Sequence, residues 1–168
     1  TSGHIVTGRD PDTLAVVRPN GEEFPVTLVG FDPDWDLAAL RLPEPVLEPV
    51  DLVTEVPIVS GVAMGMRSSA GVSVVNEIEF DVDAPVFVNW DGVFRDTESR
   101  FHGIRIEAEV RRGDSGSGLF VSDDDVIGLI HSKNRSGLPR AYAVSGMQID
   151  EFLSVIDSDT EIVADRCA

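Results

Sequence analysis

The chain has 168 residues, 13 basic against 30 acidic, for a net charge of −17, and 42% of it is apolar. That length fits one ordinary domain or two very small ones with enough apolar residues for a core, and so acidic a surface repels polyanions, which argues against nucleic acid as a partner. No run approaches the roughly 20 apolar residues of a membrane span, and the single cysteine, Cys167, cannot make an internal disulfide, which excludes a disulfide-stapled secreted scaffold. Both cytoplasmic and cysteine-poor exported proteins stay open. The acidity itself reads as solubility or salt adaptation before any preference for cationic substrates.

In chain order, Thr1-Ser2-Gly3-His4 has neither a start methionine nor a charged leader and reads as cut or processed. Val6 and then Leu14 to Val17 read as short strands around a polar turn at Gly8-Arg9-Asp10-Pro11-Asp12. Pro19-Asn20-Gly21-Glu22 is a hairpin signal, with Asn-Gly expected to supply the positive φ angles of a two-residue turn. Phe24 to Gly30 gives a second strand, Phe31 to Asp36 an acidic turn, and Leu37 to Leu42 a further strand. Residues 43–56 carry three prolines, which cannot donate to a ladder, so the segment predicts an exposed connection between two units. Ile58 to Met66, Val72 to Phe80, Val86 to Val88, Ile104 to Val110, Gly118 to Val121, Val126 to Ile130 and Ala141 to Val144 are strand-like. Met147 to Ile156 carries Ile149, Phe152, Leu153 and Ile156 at helical spacing, and the last dozen residues read as a polar tail. Many short strands with one late helix point to β-barrels or a sandwich.

The sharpest chemical signal is Arg111-Arg112-Gly113-Asp114-Ser115-Gly116-Ser117-Gly118. A nucleophilic serine needs a tight turn whose own N–H groups face a developing oxyanion. Glycines on both sides permit that turn and leave room for a substrate carbonyl. Taken alone, the stretch is also compatible with a Gly-Ser-rich hairpin. The serine needs a base, and the base an orienting carboxylate. His131 lies in the apolar strand Gly128-Leu129-Ile130-His131-Ser132, where a histidine is usually a packed or wall residue, and His102 reads as a surface loop residue.

His4 has better context. Thr1-Ser2-Gly3-His4-Ile5-Val6 resembles the Thr-Ala-Ala-His-Cys segment that carries the base of trypsin/chymotrypsin-like serine proteases. Asp34-Trp35-Asp36-Leu37-Ala38-Ala39-Leu40 resembles their Asp-Leu-Ala-Leu-Leu segment, and Gly113 to Gly118 resembles Gly-Asp-Ser-Gly-Gly-Pro, with Ser117 and Gly118 departing from it. The His…Asp…Ser order is that of the chymotrypsin type. The resemblance implies an all-β fold of two six-stranded antiparallel barrels with a closing C-terminal helix at about 146–157. It divides the chain into residues 1–45, the remainder of a first barrel incomplete in this chain, and 46–168, the second barrel and tail. It implies a serine endopeptidase with His4 as base, Asp36 as orienter (Asp34 as fallback) and Ser115 as nucleophile. Gly113, Asp114 and Ser115 form its oxyanion loop, with the N–H groups of Gly113 and Ser115 as donors and Asp114 shaping the turn.

Glu109, Arg112, His131, Ser132 and Lys133 are expected around the pocket for the residue before the scissile bond; Glu109 favours a basic side chain there, His131, Lys133 and Arg112 an acidic one. Arg111 or Arg112 is available to pair with Asp114. The resemblance implies a peptide or protein substrate and a chemistry without cofactor or metal. In the family several strands precede the base histidine, so a separate segment or another chain is expected to complete the first barrel. The alternative is an inactive protease-like module that binds peptides or partners without cleaving them, because an incomplete barrel holds His4 less firmly.

Overall fold

The computed structural model describes residues 1–164 except 46–47, 70–71, 95–97, 135–136 and 158, with backbone alone at 67–69 and 72–73. Cys167 lies outside the described residues.

Gly3–Val6 forms a single helical turn, α1. Val6 is therefore helical where the sequence suggested a strand; it turns its side chain into a small core with Leu28, Ala38 and Ala164. Two short antiparallel pairs follow, β1 (Ala15–Val17) with β2 (Glu23–Pro25) and β3 (Thr27–Asp32) with β4 (Leu37–Arg41). At the first hairpin only Gly21 takes a positive φ, of 85°, while Asn20 uses its side chain to accept the Glu22 N–H at 3.0 Å. The turn is therefore longer than the two-residue form Asn-Gly suggested.

The rest of the sheet structure is a ring. β6 (Ser60–Ser69), β7 (Val72–Trp90), β8 (Ser99–Glu107), β9 (Gly118–Phe120), β10 (Asp125–Lys133) and β11 (Arg140–Ser145) run in the order β11-β8-β7-β6-β9-β10, and β10 pairs back onto β11. A short β5 (Asp51–Leu52) inside the proline-rich connection adds a parallel strand to β10. The sheet thus curls into a partly closed ring, and residues 1–45 contribute two separate two-stranded sheets. Apolar residues alternating along the strands bring Ala63, Ile78, Phe80, Ile104, Leu119 and Ile130 to the ring's interior.

Two sequence segments, Val72 to Phe80 and Val86 to Val88, are one strand. Pro85 is tolerated because β6 pairs with β7 only as far as Asp81; beyond it one edge of β7 is open, and no ladder needs the missing N–H. β8 starts at Ser99, well before Ile104, so His102 lies on a strand and not in a loop. α2 (Gly146–Ser154) is capped by Ser145 and packs Ile149 and Phe152 against Leu37, Val88, Phe101 and Val144. This second cluster ties β4 to the ring. The tail is more than a polar extension: Ile162 N–H donates to the Leu28 carbonyl at 2.9 Å, and Ala164 is buried against Val6.

Candidate active site

Asp36 ends the Asp32–Trp35 turn, and its backbone is the one non-glycine among the described residues with positive φ, at 56°. Aspartate tolerates this left-handed region better than most residues, and such strain gathers at functional positions. The turn is built to hold it: Asp32 Oδ1 accepts the N–H groups of Asp34 and Trp35, and Gly3 N–H donates to the Asp36 carbonyl at 2.8 Å. A Cβ on Gly3 would meet Phe31 at 3.0 Å and the Asp36 backbone at 3.2 Å, so a side chain here would have to push both back by a few tenths of an ångström.

The wholly buried Asp36 carboxylate clasps His4 at two points. Oδ1 accepts the His4 backbone N–H at 2.7 Å and Oδ2 meets Nδ1 at 2.8 Å. The His4 side chain is 43% exposed. The hydrogen bond to Asp36 lifts the His4 pKa above the ordinary histidine value, against the opposing effect of partial burial. Asp34 is engaged elsewhere: its carboxylate accepts the Ser99 hydroxyl at 2.7 Å and its carbonyl the Trp90 indole N–H at 2.6 Å. Of the two aspartates weighed from sequence, the structure therefore brings Asp36 to His4 and turns Asp34 toward the β7–β8 hairpin.

The Ser115 turn lies directly beside the His4 segment. Gly113 and Gly116 have φ of 98° and 81°. A Cβ on Gly116 would fall 2.5 Å from Thr1 Oγ1 and 3.3 Å from Ile5 Cδ1. Gly116 N–H and the Ser2 hydroxyl both donate to the Ile130 carbonyl, at 2.8 and 3.3 Å, which stitches the two segments to β10. Buried Asp114 accepts the Arg111 N–H at 2.7 Å, and its own N–H donates to the Arg111 carbonyl, so it closes the loop through backbone. The Arg111 side chain instead faces Glu109 at 3.8 Å. Among the described residues, the N–H groups of Gly113 and Ser115 meet no protein acceptor. The Ser115 hydroxyl donates to the His131 carbonyl at 3.4 Å, and no described hydrogen bond joins it to His4.

Of the expected pocket residues, Glu109 and Lys133 line one depression of about 290 Å³ together with Arg111, Asn134 and Arg140. Arg112 and Ser132 are not on its wall. His131 is not there either: it is buried with its ring edge-on to Trp90 and Phe101, and its Nε2 lies 3.5 Å from Asp36 Oδ2. Two contributors were missed in sequence. Trp90 and Ser99, far from the motif segments, brace the Asp36 turn, and nothing in their local pattern marks that role.

The sequence profile of the trypsin-like peptidase domain matches residues 1–129. Among solved structures, the Rv3671c protease from M. tuberculosis in its active form superposes with a TM-score of 0.86 at 18% identity, covering 99% of this chain and 72% of that one. Its inactive form gives 0.76 at 19% identity, covering 94% and 78%. The HtrA-type protease AlgW with a decapeptide gives 0.68 at 23% identity, covering 92% of this chain and 46% of AlgW. No helix of the described residues is long and apolar enough to cross a membrane.

Proposed function

The chain belongs to the trypsin-like peptidase domain family, and from that premise we propose that it is a serine endopeptidase working through His4, Asp36 and Ser115. The observation that carries this reading is the double clasp of buried Asp36 on His4, at 2.7 and 2.8 Å. A carboxylate on Nδ1 keeps the proton there and leaves Nε2 as the free base of a partly exposed ring. His4 Nε2 takes the Ser115 proton as Oγ attacks the scissile carbonyl. The uncommitted N–H groups of Gly113 and Ser115 receive the oxyanion, a contribution of about 3–4 kcal/mol per donor in such sites. His4 then protonates the leaving amine, and water hydrolyses the acyl-enzyme by the same steps. Attack requires the Ser115 hydroxyl to leave the His131 carbonyl. At 3.4 Å that bond is long and weak, so the rotation is cheap. The side chain before the scissile bond would enter the depression between Glu109 and Lys133.

That same Ser115–His131 bond favours a second reading, a peptide-binding module that does not cleave. Incubation with fluorescein-labelled casein separates the two. The endopeptidase reading requires cleavage that Ser115→Ala and His4→Ala abolish; capture of intact peptide with no cleavage supports the binding module.

A further inference from the structure

We propose that His131 is a positioning residue of this site, a second imidazole that fixes the Asp36 carboxylate and moderates the basicity of His4. This rests on the proposed roles of His4 and Asp36.

The first observation is in the ladder. β10 and β11 pair in regular register through Ile130↔Ala143 and resume at Ser132↔Tyr142, so His131 is the extra residue of a β-bulge. A bulge re-aims a side chain out of the strand's alternation. Here it delivers Nε2 to 3.5 Å from Asp36 Oδ2, the same oxygen that His4 Nδ1 reaches at 2.8 Å. The second observation is the packing. Trp90 and Phe101 stand edge-on to the ring at centroid distances of 4.7 and 5.2 Å, and the side chain is 6% exposed. A histidine so enclosed is not placed to meet a substrate; its Nε2 is turned to Asp36.

The third observation fixes the tautomer. His131 Nδ1 is buried with no hydrogen-bond partner among the described residues. A buried N–H without an acceptor is costly, so the neutral ring carries its proton on Nε2, toward the carboxylate. The titratable groups that face His131 are Asp36 and His4; the ring's other neighbours, Trp90 and Phe101, carry no charge. Burial holds its pKa below the ordinary histidine value, in keeping with a neutral ring. A neutral donor on Oδ2 shares that oxygen with His4 and draws electron density from it. Asp36 is then held in place from both sides while its pull on the His4 proton is reduced.

The test is a pH titration of the histidine C2–H proton resonances in the full chain, in a Ser115→Ala background so that no activity is needed. His131→Phe fills the space without a donor, and His131→Gln restores one. The His4 midpoint is expected to rise by about half a pH unit in His131→Phe, as one polar contact to the carboxylate is lost, and to return toward the parent value in His131→Gln. With Ser115 restored, His131→Phe is expected to lower kcat by about 10-fold with KM for a small ester unchanged, as befits misorientation of a base. A His4 midpoint that stays put or falls in folded His131→Phe overturns the proposal, as does one that rises equally in His131→Gln; if His131→Phe does not fold, His131→Leu takes its place as the variant without a donor, read by the same midpoint. Loss of the function reading is a different result: a chain that never cleaves casein still reports whether His4 and His131 are coupled through Asp36.

Discussion

Replacing Asp36 by Asn keeps the shape of the side chain and removes its charge and one of its two acceptor oxygens. Asparagine is the residue next best suited to a φ of 56°, so the turn survives, and its side-chain oxygen can still accept the His4 N–H now held at 2.7 Å. The amide nitrogen then faces His4 Nδ1, where Oδ2 now sits at 2.8 Å. Two donors cannot meet, so Nδ1 gives up its proton and the ring carries it on Nε2. That tautomer cannot take a proton from Ser115. The expected loss in kcat is about 10⁴-fold, or about 5.5 kcal/mol of transition-state stabilisation. The acid limb of the residual activity also moves down, because the Asp36 hydrogen bond is the main cause of the raised His4 pKa. Asp36→Ala separates chemistry from fold: it strains the left-handed backbone by about 1–2 kcal/mol and leaves the His4 N–H without its acceptor, so it lowers Tm further than Asp36→Asn does. The assay is steady-state hydrolysis of a fluorogenic ester beside a thermal melt. An Asn variant that keeps a tenth of the parent kcat would refute the role given to Asp36.

Asp114→Ala leaves the half-buried Arg111 N–H contact at 2.7 Å unmade, and is expected to destabilise the chain by about 1–2 kcal/mol and to depress kcat, read by urea unfolding and ester hydrolysis. Only neutral His4 accepts the Ser115 proton, so the acid limb of kcat/KM should lie above the ordinary histidine value of about 6.5, since Asp36 raises the His4 pKa. The sign for stability is the reverse: the His4–Asp36 contribution is fully present below the unfolded histidine value and is lost as pH rises through the folded one. His131, its pKa lowered by burial, destabilises the fold progressively as pH falls below the ordinary histidine value, so His131→Phe should lose less urea stability between about pH 8 and pH 5 than the parent. Deleting residues 160–168 removes the Ile162–Leu28 bond and the buried Ala164; about 2 kcal/mol of burial is lost, Tm falls by about 4–8 °C, and kcat falls because Val6 shares its helical turn with His4.

Much of this architecture was legible because local pattern and tertiary outcome agree. Alternating Val, Ile and Phe residues mark most strands of the ring, and Ser145 with the Ile149 and Phe152 spacing marks α2. The three motif segments marked the candidate site, and two of them carry a backbone requirement together with their chemistry: glycine at 113 and 116 for positive φ, and an aspartate at 36 that bears it. What stayed hidden depends on contacts distant in sequence. Pro85 reads as a breaker until it is known that β6 stops pairing at Asp81. Val6 reads as strand because one helical turn has no period to recognise. His131 reads as a wall residue because a bulge that shifts alternation by one leaves no trace in composition. Ile162 and Ala164 read as tail because only the core beside Leu28 gives them a place.

The central claim is that Ser115 is a nucleophile activated by His4. Labelling with a fluorophosphonate tests it most directly, because the probe reacts with an activated serine and requires no knowledge of the substrate. One adduct per chain, located on Ser115 by mass spectrometry and lost in Ser115→Ala and His4→Ala, is the predicted result. A folded chain that takes up no label, or that labels equally well without His4, would contradict it.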